Sequence, residues 1–333
     1  MGWGLAMTAP RWLLALDFGG TKLSAALVEA GARRLRRWRA RRSIPSPPGA
    51  DARYDQSTLL ALADELLAGE RPRAIGVSFG GPVNADAGLV ILSHHVRGWE
   101  NIPLRDQLQA RFGRPVSMDN DANAAALGEW KFGAGRVGTG HVASLLYVTV
   151  STGVGGGWIL DGRIYRGADS LAGEIGHTIV EPDGPICICG RRGCVESLAA
   201  GPNFARRTRE RLMAEPAAGA VLRELVSGNL EAVTAEHVAR AAEAGDELAR
   251  EVLVEAARAL GFGLGTAITL MNPQRVVLGG GVTKSGELWW RTVREAARAN
   301  ALRVPEMTVE IVPAALEDDA PLWGAVALAE ELL

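Results

Sequence analysis

No excess of charge of either sign marks this sequence: 36 Lys and Arg stand against 38 Asp and Glu, for a formal net charge of −2. That balance argues against a polyanionic partner or an acidic tail and suits a small neutral ligand. Cysteine is scarce as well. Its three copies, Cys187, Cys189 and Cys194, fall within eight residues, an odd number that fits a reduced compartment and a metal better than a disulfide framework. No leader is expected either. Residues 1–10 have no cationic start, and the apolar run 12–16 stops at Asp17, too short for a signal core or a membrane span. These absences predict a cytoplasmic protein with neither nucleic acid nor membrane among its partners.

What is present is enough apolar material for about two domains: 333 residues, 47% of them hydrophobic. The 41 glycines cluster at strand ends, where backbone can approach a ligand. An apolar run ends in Asp17-Phe18-Gly19-Gly20-Thr21-Lys22 and resumes at Leu23, which reads as strand, glycine turn, strand. The same plan recurs where residues 144–150 lead into Ser151-Thr152-Gly153-Val154-Gly155-Gly156-Gly157. One hairpin idea is used twice. Between them, residues 58–67 carry helical periodicity and residues 74–79 and 115–118 read as strands. Past residue 200 the pattern turns helical (203–213, 235–244, 246–271), then gives one more strand at 275–278 before Gly279-Gly280-Gly281. Alternating strands and helices imply a layered α/β fold. A last helix over 320–333, with Asp319 as its N-cap, is expected to pack back on the first domain. Residues 33–42 hold seven arginines, but Leu35 and Trp38 interrupt them as in a solvated strand or turn rather than a nucleic-acid patch.

The first turn supplies what a nucleotide phosphate needs: Gly19 and Gly20 to expose amides, the Thr21 hydroxyl, the Lys22 cation, and the Asp17 carboxylate to hold hydrated Mg²⁺. It is not a Walker A loop, since a strand follows rather than a helix. An ordinary Gly-Gly hairpin stays open for this segment alone. Two such turns facing one another across a cleft can hold a triphosphate, and Gly280 and Gly281 can let an adenosine lie on bare backbone. A carboxylate must then orient the accepting hydroxyl and take its proton. Asp121 follows a strand and precedes an Ala-rich helix, at the strand end where ligands of open α/β sheets collect. Position alone leaves helix capping, and the neighbouring Asp119, as alternatives. His177, Cys187, Cys189 and Cys194 make four ligands for a closed tetrahedral Zn²⁺ site, against free buried thiols as the alternative.

At this point the chain resembles the ROK family of sugar kinases and sugar-responsive repressors. The resemblance rests on the two glycine motifs, Asn120-Asp121-Ala122-Asn123-Ala124-Ala125, Gly173-Glu174-Ile175-Gly176-His177, the stretch from Cys187 to Glu196, and Asn272-Pro273 through Gly281. It runs in family order over nearly the whole chain. It implies the actin-like ATPase (ribonuclease H-like) fold, two α/β domains around a central cleft, commonly assembled as dimers or higher homo-oligomers. Residues 1–120 form the small domain, completed by a helix at 319–333, and residues 121–318 the large one with the zinc loop. The resemblance further implies an ATP-dependent hexose kinase with Asp121 as base. Gly81 (through its backbone), Asn120, Asp121, Glu174, His177 and Glu196 fall to the sugar. Asp17, Gly19, Gly20, Thr21, Lys22, Thr152, Gly153, Gly155, Gly156, Gly280 and Gly281 fall to ATP with Mg²⁺. His177 and the three cysteines fall to a structural zinc that holds the sugar loop. Glucose is the leading substrate, with N-acetylmannosamine, N-acetylglucosamine, mannose, fructose and allose as alternatives. The segment from Ser93 to Trp99, with His94 and His95, stands where many members of that family carry an Asn-Leu pair before Gly-Trp, a region the resemblance places beside the sugar, and the two histidines read either as sugar contacts or as exposed loop residues. A sugar-sensing repressor is disfavoured, because the 16 residues ahead of Asp17 are too few for a DNA-reading domain.

Overall fold

The structure, a computed structural model, describes residues 11–31, 37–93, 95–302 and 309–333. The chain divides into two compact units: Met1–Gly133 with Arg166–Ala172 and Asp319–Leu333, and Ala134–Tyr165 with Gly173–Asp318.

In the first unit, β1 (Trp12–Phe18), β2 (Lys22–Glu29) and β3 (Ala40–Pro45) precede α1 (Ala52–Leu67) and β4 (Ala74–Phe79). A small hairpin, β5 (Val83–Asn84) and β6 (Leu89–Val90), leads to α2 (Leu104–Phe112), β7 (Val116–Asn120) and α3 (Asp121–Phe132). The sheet order is β3-β2-β1-β4-β7, antiparallel on the β2 side of β1 and parallel on the β4 side. Because β1 is covered on both faces, it is apolar along its length rather than alternating. Leu14, Leu16 and Phe18 share a core with Leu59 and Leu62 of α1. Leu13 and Ala15 instead meet Leu322, Ala325 and Val326 of the C-terminal helix, Ala320–Glu330. That helix lies on bare backbone, since a Cβ on Gly76 would stand 1.7 Å from the Ala325 carbonyl oxygen. It also crosses α3 where Gly128 and Gly324 meet.

Those contacts hold α3 in the first unit, so the boundary falls after Gly133 rather than at residue 120. The C-terminal helix begins after Asp319, as the sequence predicts. Asp319 makes no side-chain cap bond, however, and its carboxylate pairs with Arg41 instead. Trp323 stacks on Trp38, with ring centroids 4.0 Å apart, which gives the interrupted arginine run its inward-facing residue.

The second unit repeats the plan. After the hairpin β8 (Arg136–Val137) and β9 (Gly140–His141) come β10 (Ser144–Val150), β11 (Val154–Leu160) and β12 (Arg163–Tyr165). Helices α4 (Val195–Ala199), α5 (Gly201–Ala214), α6 (Ala220–Leu225), α7 (Ala235–Glu243) and α8 (Glu247–Met271) follow, then β13 (Arg275–Gly279), α9 (Gly286–Asn300) and β14 (Glu310–Pro313). The sheet, β12-β11-β10-β13-β14, has the same two antiparallel and two parallel pairings about its central strand. Helix α8 is long and apolar enough to cross a membrane by length and composition. Here it is the core helix, with Leu253, Leu260 and Leu264 buried among Leu146, Val195 and Trp289. Its glycines admit α9 closely: a Cβ on Gly261 would lie 2.5 Å from that of Ala296.

Candidate active site

The first glycine turn joins β1 to β2. The Gly19 amide donates to the Lys22 carbonyl at 3.1 Å, and a Cβ on Gly19 would come within 2.6 Å of that oxygen. Only glycine closes the turn this tightly. Gly20 is overlaid by the His95 ring, whose atoms would lie 3.1–3.2 Å from an added Cβ. His94 lies outside the described residues. Thr21 is exposed and Lys22 half-buried. Asp17, 7% exposed, accepts a hydrogen bond from Ser78 Oγ at 2.8 Å. Burial pushes its carboxyl up to about 7, the nearby Asp121 charge adds to the rise, and the Ser78 hydroxyl and the Lys22 cation only partly offset it. Such a carboxyl gains from an arriving cation.

Asp119 and Asp121 flank the end of β7 and differ in kind. Asp119 is 1% exposed. Its Oδ2 is gripped by Arg166 through Nε at 2.7 Å and Nη2 at 2.6 Å, while Oδ1 accepts from Asn123 Nδ2 at 2.9 Å and the Asn120 amide at 2.8 Å. Burial still holds its carboxyl above the usual range, with Arg166 opposing. Both of its oxygens are thus already taken by donors from within the first unit. Asn120 caps α3, accepting from the Ala122 and Asn123 amides at 2.9 and 3.3 Å, and its Nδ2 donates to the Gly81 carbonyl at 3.1 Å. Capping therefore belongs to Asn120. Asp121 is the first helical residue, half-buried, with Oδ1 accepting from the Ala122 amide at 2.8 Å. The first unit thus brings Asp17, Gly81, Asn120 and Asp121 into one corner.

The second turn is shorter than the sequence predicts. The Ser151 amide donates to the Gly153 carbonyl at 2.9 Å, and β11 has begun by Val154, so Gly155 and Gly156 pair in the ladder with Thr149 and Val148. Gly156 serves close packing, since its Cβ would stand 2.6 Å from the Gly173 carbonyl oxygen. Thr152 is exposed. Gly153 carries a constraint of another kind, because a Cβ there would lie 2.7 Å from Glu196 Oε2. That same oxygen accepts the Val154 amide at 2.9 Å. Glu196 is therefore no ordinary surface acid, whereas Glu174 is exposed and precedes the short 3-10 turn Ile175–His177. After β13, Gly280 needs its positive φ of 88° and leaves no room for a Cβ beside Val150. An added Cβ on Gly281 would meet open space.

His177, Cys187, Cys189 and Cys194 place their ligand atoms within 4.8 Å of one another. Cys187 Sγ lies 3.6 Å from His177 Nδ1, and Cys189 Sγ lies 3.6 Å from Cys194 Sγ. Ligands around a tetrahedral zinc, with Zn–S near 2.3 Å, are spaced by about 3.8 Å, so the donor set and its spacing fit that ion. The loop is closed by glycine: Gly193, at φ 67°, would put a Cβ 1.5 Å from the Glu181 carbonyl oxygen. Burial pushes the Cys194 thiol up to about 12 and also raises Cys187. The Arg191 amide brings Cys189 down to about 6. Thiols this crowded ionise together only with a cation among them. Cys187 Sγ is 3.9 Å from Glu196 Oε1, which joins the cluster to the second glycine turn through one side chain.

Two sheets of identical pairing order, each opening on a glycine hairpin, define an actin-like ATPase fold. The model of the ROK family matches residues 13–332, and the chain belongs to that family. A glucokinase of Thermotoga maritima is 33% identical over 96% of this chain and 97% of its own length. An N-acetylmannosamine kinase of Salmonella typhi is 33% identical over 95% and 98%. The crystal structure of a ROK family glucokinase from Streptomyces griseus, in complex with glucose and AMPPNP, matches with a TM-score of 0.81 and 32% identity, covering 96% of this chain and 99% of that one.

Proposed function

We propose that this chain is an ATP-dependent hexose kinase that converts glucose to glucose 6-phosphate, with Asp121 as the base. The observation that carries the reading is the division of labour at the end of β7: Asp119 is consumed by Arg166 and Asn123, and Asn120 caps the helix. Asp121 itself begins α3, half-buried and close enough to Asp17 for its charge to help raise that carboxyl's pKa. Asp121 orients the sugar hydroxyl and takes its proton as the oxygen bonds to the γ-phosphorus and the bond to ADP breaks. Asn120, Glu174, His177, Glu196 and the Gly81 backbone pair the remaining hydroxyls, which are costly to bury unpaired. Asp17, Gly19, Gly20, Thr21 and Lys22, with Thr152, Gly153, Gly155 and Gly156, hold the phosphates, and Gly280 and Gly281 the adenosine. Mg²⁺ fits the cation-poor Asp17 carboxyl. His177, Cys187, Cys189 and Cys194 would hold a structural Zn²⁺, which leaves no ligand position for catalysis.

Glucose is preferred because the S. griseus relative is a glucokinase with bound glucose and the T. maritima relative carries the same name. The test is a coupled ADP-release assay with ATP and Mg²⁺ over glucose, N-acetylmannosamine, N-acetylglucosamine, mannose, fructose and allose. Glucose should give the highest kcat/KM. A higher value for N-acetylmannosamine would move the chain to the specificity of the S. typhi relative, and no sugar-dependent ADP from any of the six would defeat the kinase reading.

A further inference from the structure

Arg166 stands outside every motif, and the structure assigns it a part in the chemistry: we infer that Arg166, acting through Asp119, is the positioning residue for the Asn120–Asp121 corner. This rests on the proposed role of Asp121 as base.

Arg166 opens the short segment Arg166–Ala172, which groups with the first unit although the chain before and after it belongs to the second. The segment closes on itself, its Ala172 amide donating to the Arg166 carbonyl at 3.0 Å. From that closed loop the guanidinium reaches Asp119 Oδ2 with two nitrogens, at 2.6 and 2.7 Å. Two donors on one oxygen stop the carboxylate from rotating, so Oδ1 is presented to the Asn120 amide and Asn123 Nδ2. Those two contacts bracket Asp121 in the chain. One fixes the Asp119–Asn120 peptide, one link ahead of it, the other the first turn of the helix that it begins.

The row behind this corner is polar across the sheet. Asp119 is in register with Ser78 and Ser78 with Asp17, so the carboxyl that the Arg166 grip immobilises stands in line with the one at the first glycine turn. The two ends of the row differ in how their charge is met. Asp119 has an internal guanidinium, whereas Asp17 has a hydroxyl bond and a Lys22 charge that does not fully balance it. The end of the row fixed by Arg166 is the one from which the chain runs on to Asp121. Near-attack geometry is sensitive to displacements of about 1 Å.

The test uses the full-length protein. Arg166→Gln should lower kcat by about 10- to 30-fold while KM for ATP and for sugar stay within about threefold, as expected when a supporting contact rather than a binding contact is lost. Arg166→Lys should recover part of that loss. If Arg166→Gln does not fold because Asp119 is left buried and unpaired, the double variant Arg166→Gln/Asp119→Asn removes both charges together and should show the same split. A readout free of the kinase reading is amide hydrogen exchange at Asn120, Ala122 and Asn123, which should quicken in the variant while β1 and β4 stay protected. A kcat within threefold of wild type, or a loss shared equally by kcat and both KM values, would overturn the positioning role. So would unchanged exchange at the three amides. If wild type phosphorylates no hexose, the base assignment fails, and the exchange measurement alone decides whether Arg166 holds the corner.

Discussion

The two glycine turns open equivalent strands of equivalent sheets, yet they are held by opposite means. The first carries its own charges, Asp17 and Lys22, and its glycines lie against side chains and carbonyls of the first unit: Gly19 on the Lys22 carbonyl, Gly20 on His95. The second, Ser151-Thr152-Gly153, has no charged residue and borrows one from 42 positions away, Glu196, whose Oε2 takes the Val154 amide. Glu196 Oε1 in turn faces Cys187. The two sheets repeat one backbone plan, but the first turn is lined by its own charges and the second leans on Glu196, which also faces the Cys187 thiol. The first should answer to protons and cations, the second to zinc.

The largest effect belongs to the first-unit corner. Asp121→Asn should lower turnover by 10² or more, within the range that general-base removal gives, with sugar affinity nearly unchanged. Isothermal titration with glucose beside steady-state rates checks both halves, and near-normal turnover would return Asp121 to a purely helical role. Next comes the pH response of Asp17. Below about pH 4 its carboxyl is protonated both folded and unfolded. Between there and its folded value of about 7 the unfolded chain sheds a proton that the fold retains, so stability falls as pH rises, by up to about 4 kcal/mol, and levels off above. Urea unfolding of wild type and Asp17→Asn from pH 4.5 to 8 should show the variant gaining on wild type as pH rises. Parallel curves would mean that Asp17 is not the group responsible.

Zinc should act on the other turn. Purified protein should carry about one Zn per chain by elemental analysis, and Cys189→Ala should lose it. Because Glu196 links the cluster to Val154, that loss should weaken both sugar and ATP, each by about tenfold. If ATP binding were untouched, the second turn would be independent of the metal loop after all. The smallest contrast is between two methyl groups. Gly153→Ala drives a Cβ against Glu196 Oε2 and should raise KM for sugar and ATP alike. Gly20→Ala meets only the movable His95 ring and should raise KM for ATP alone. Changes of about fivefold are expected for each, and identical profiles would erase the distinction between the turns.

Much of the fold was legible where burial imposes a local pattern. The strand expected over 74–79 coincides with β4, since a strand covered on both faces is a plain apolar run. The helix expected from 58 begins six residues earlier, at Ala52, because Asp51 accepts the Tyr54 amide and starts it. That cap carries no hydrophobic period, so periodicity alone does not reveal it. The second glycine stretch looks like one turn in sequence, but it is turn for three residues and strand for the rest. Consecutive glycines look alike in sequence whether they face a ligand or, like Gly156 against Gly173, another backbone. Arg166 gave no signal at all, being one arginine of an arginine-rich chain, 47 positions from its partner.

By itself the sequence determined the order of the motifs, the doubled hairpin, the four metal-type ligands and the family, because each of these is written in residues close together in the chain. That Asp119 is paired with a guanidinium is decided only in three dimensions, where Arg166 grips it. The same holds for Glu196, an acid like any other until folding sets it under the Val154 amide. A carboxylate's role depends on what desolvates it and what pairs with it, and both are set by groups that meet only when the chain is folded.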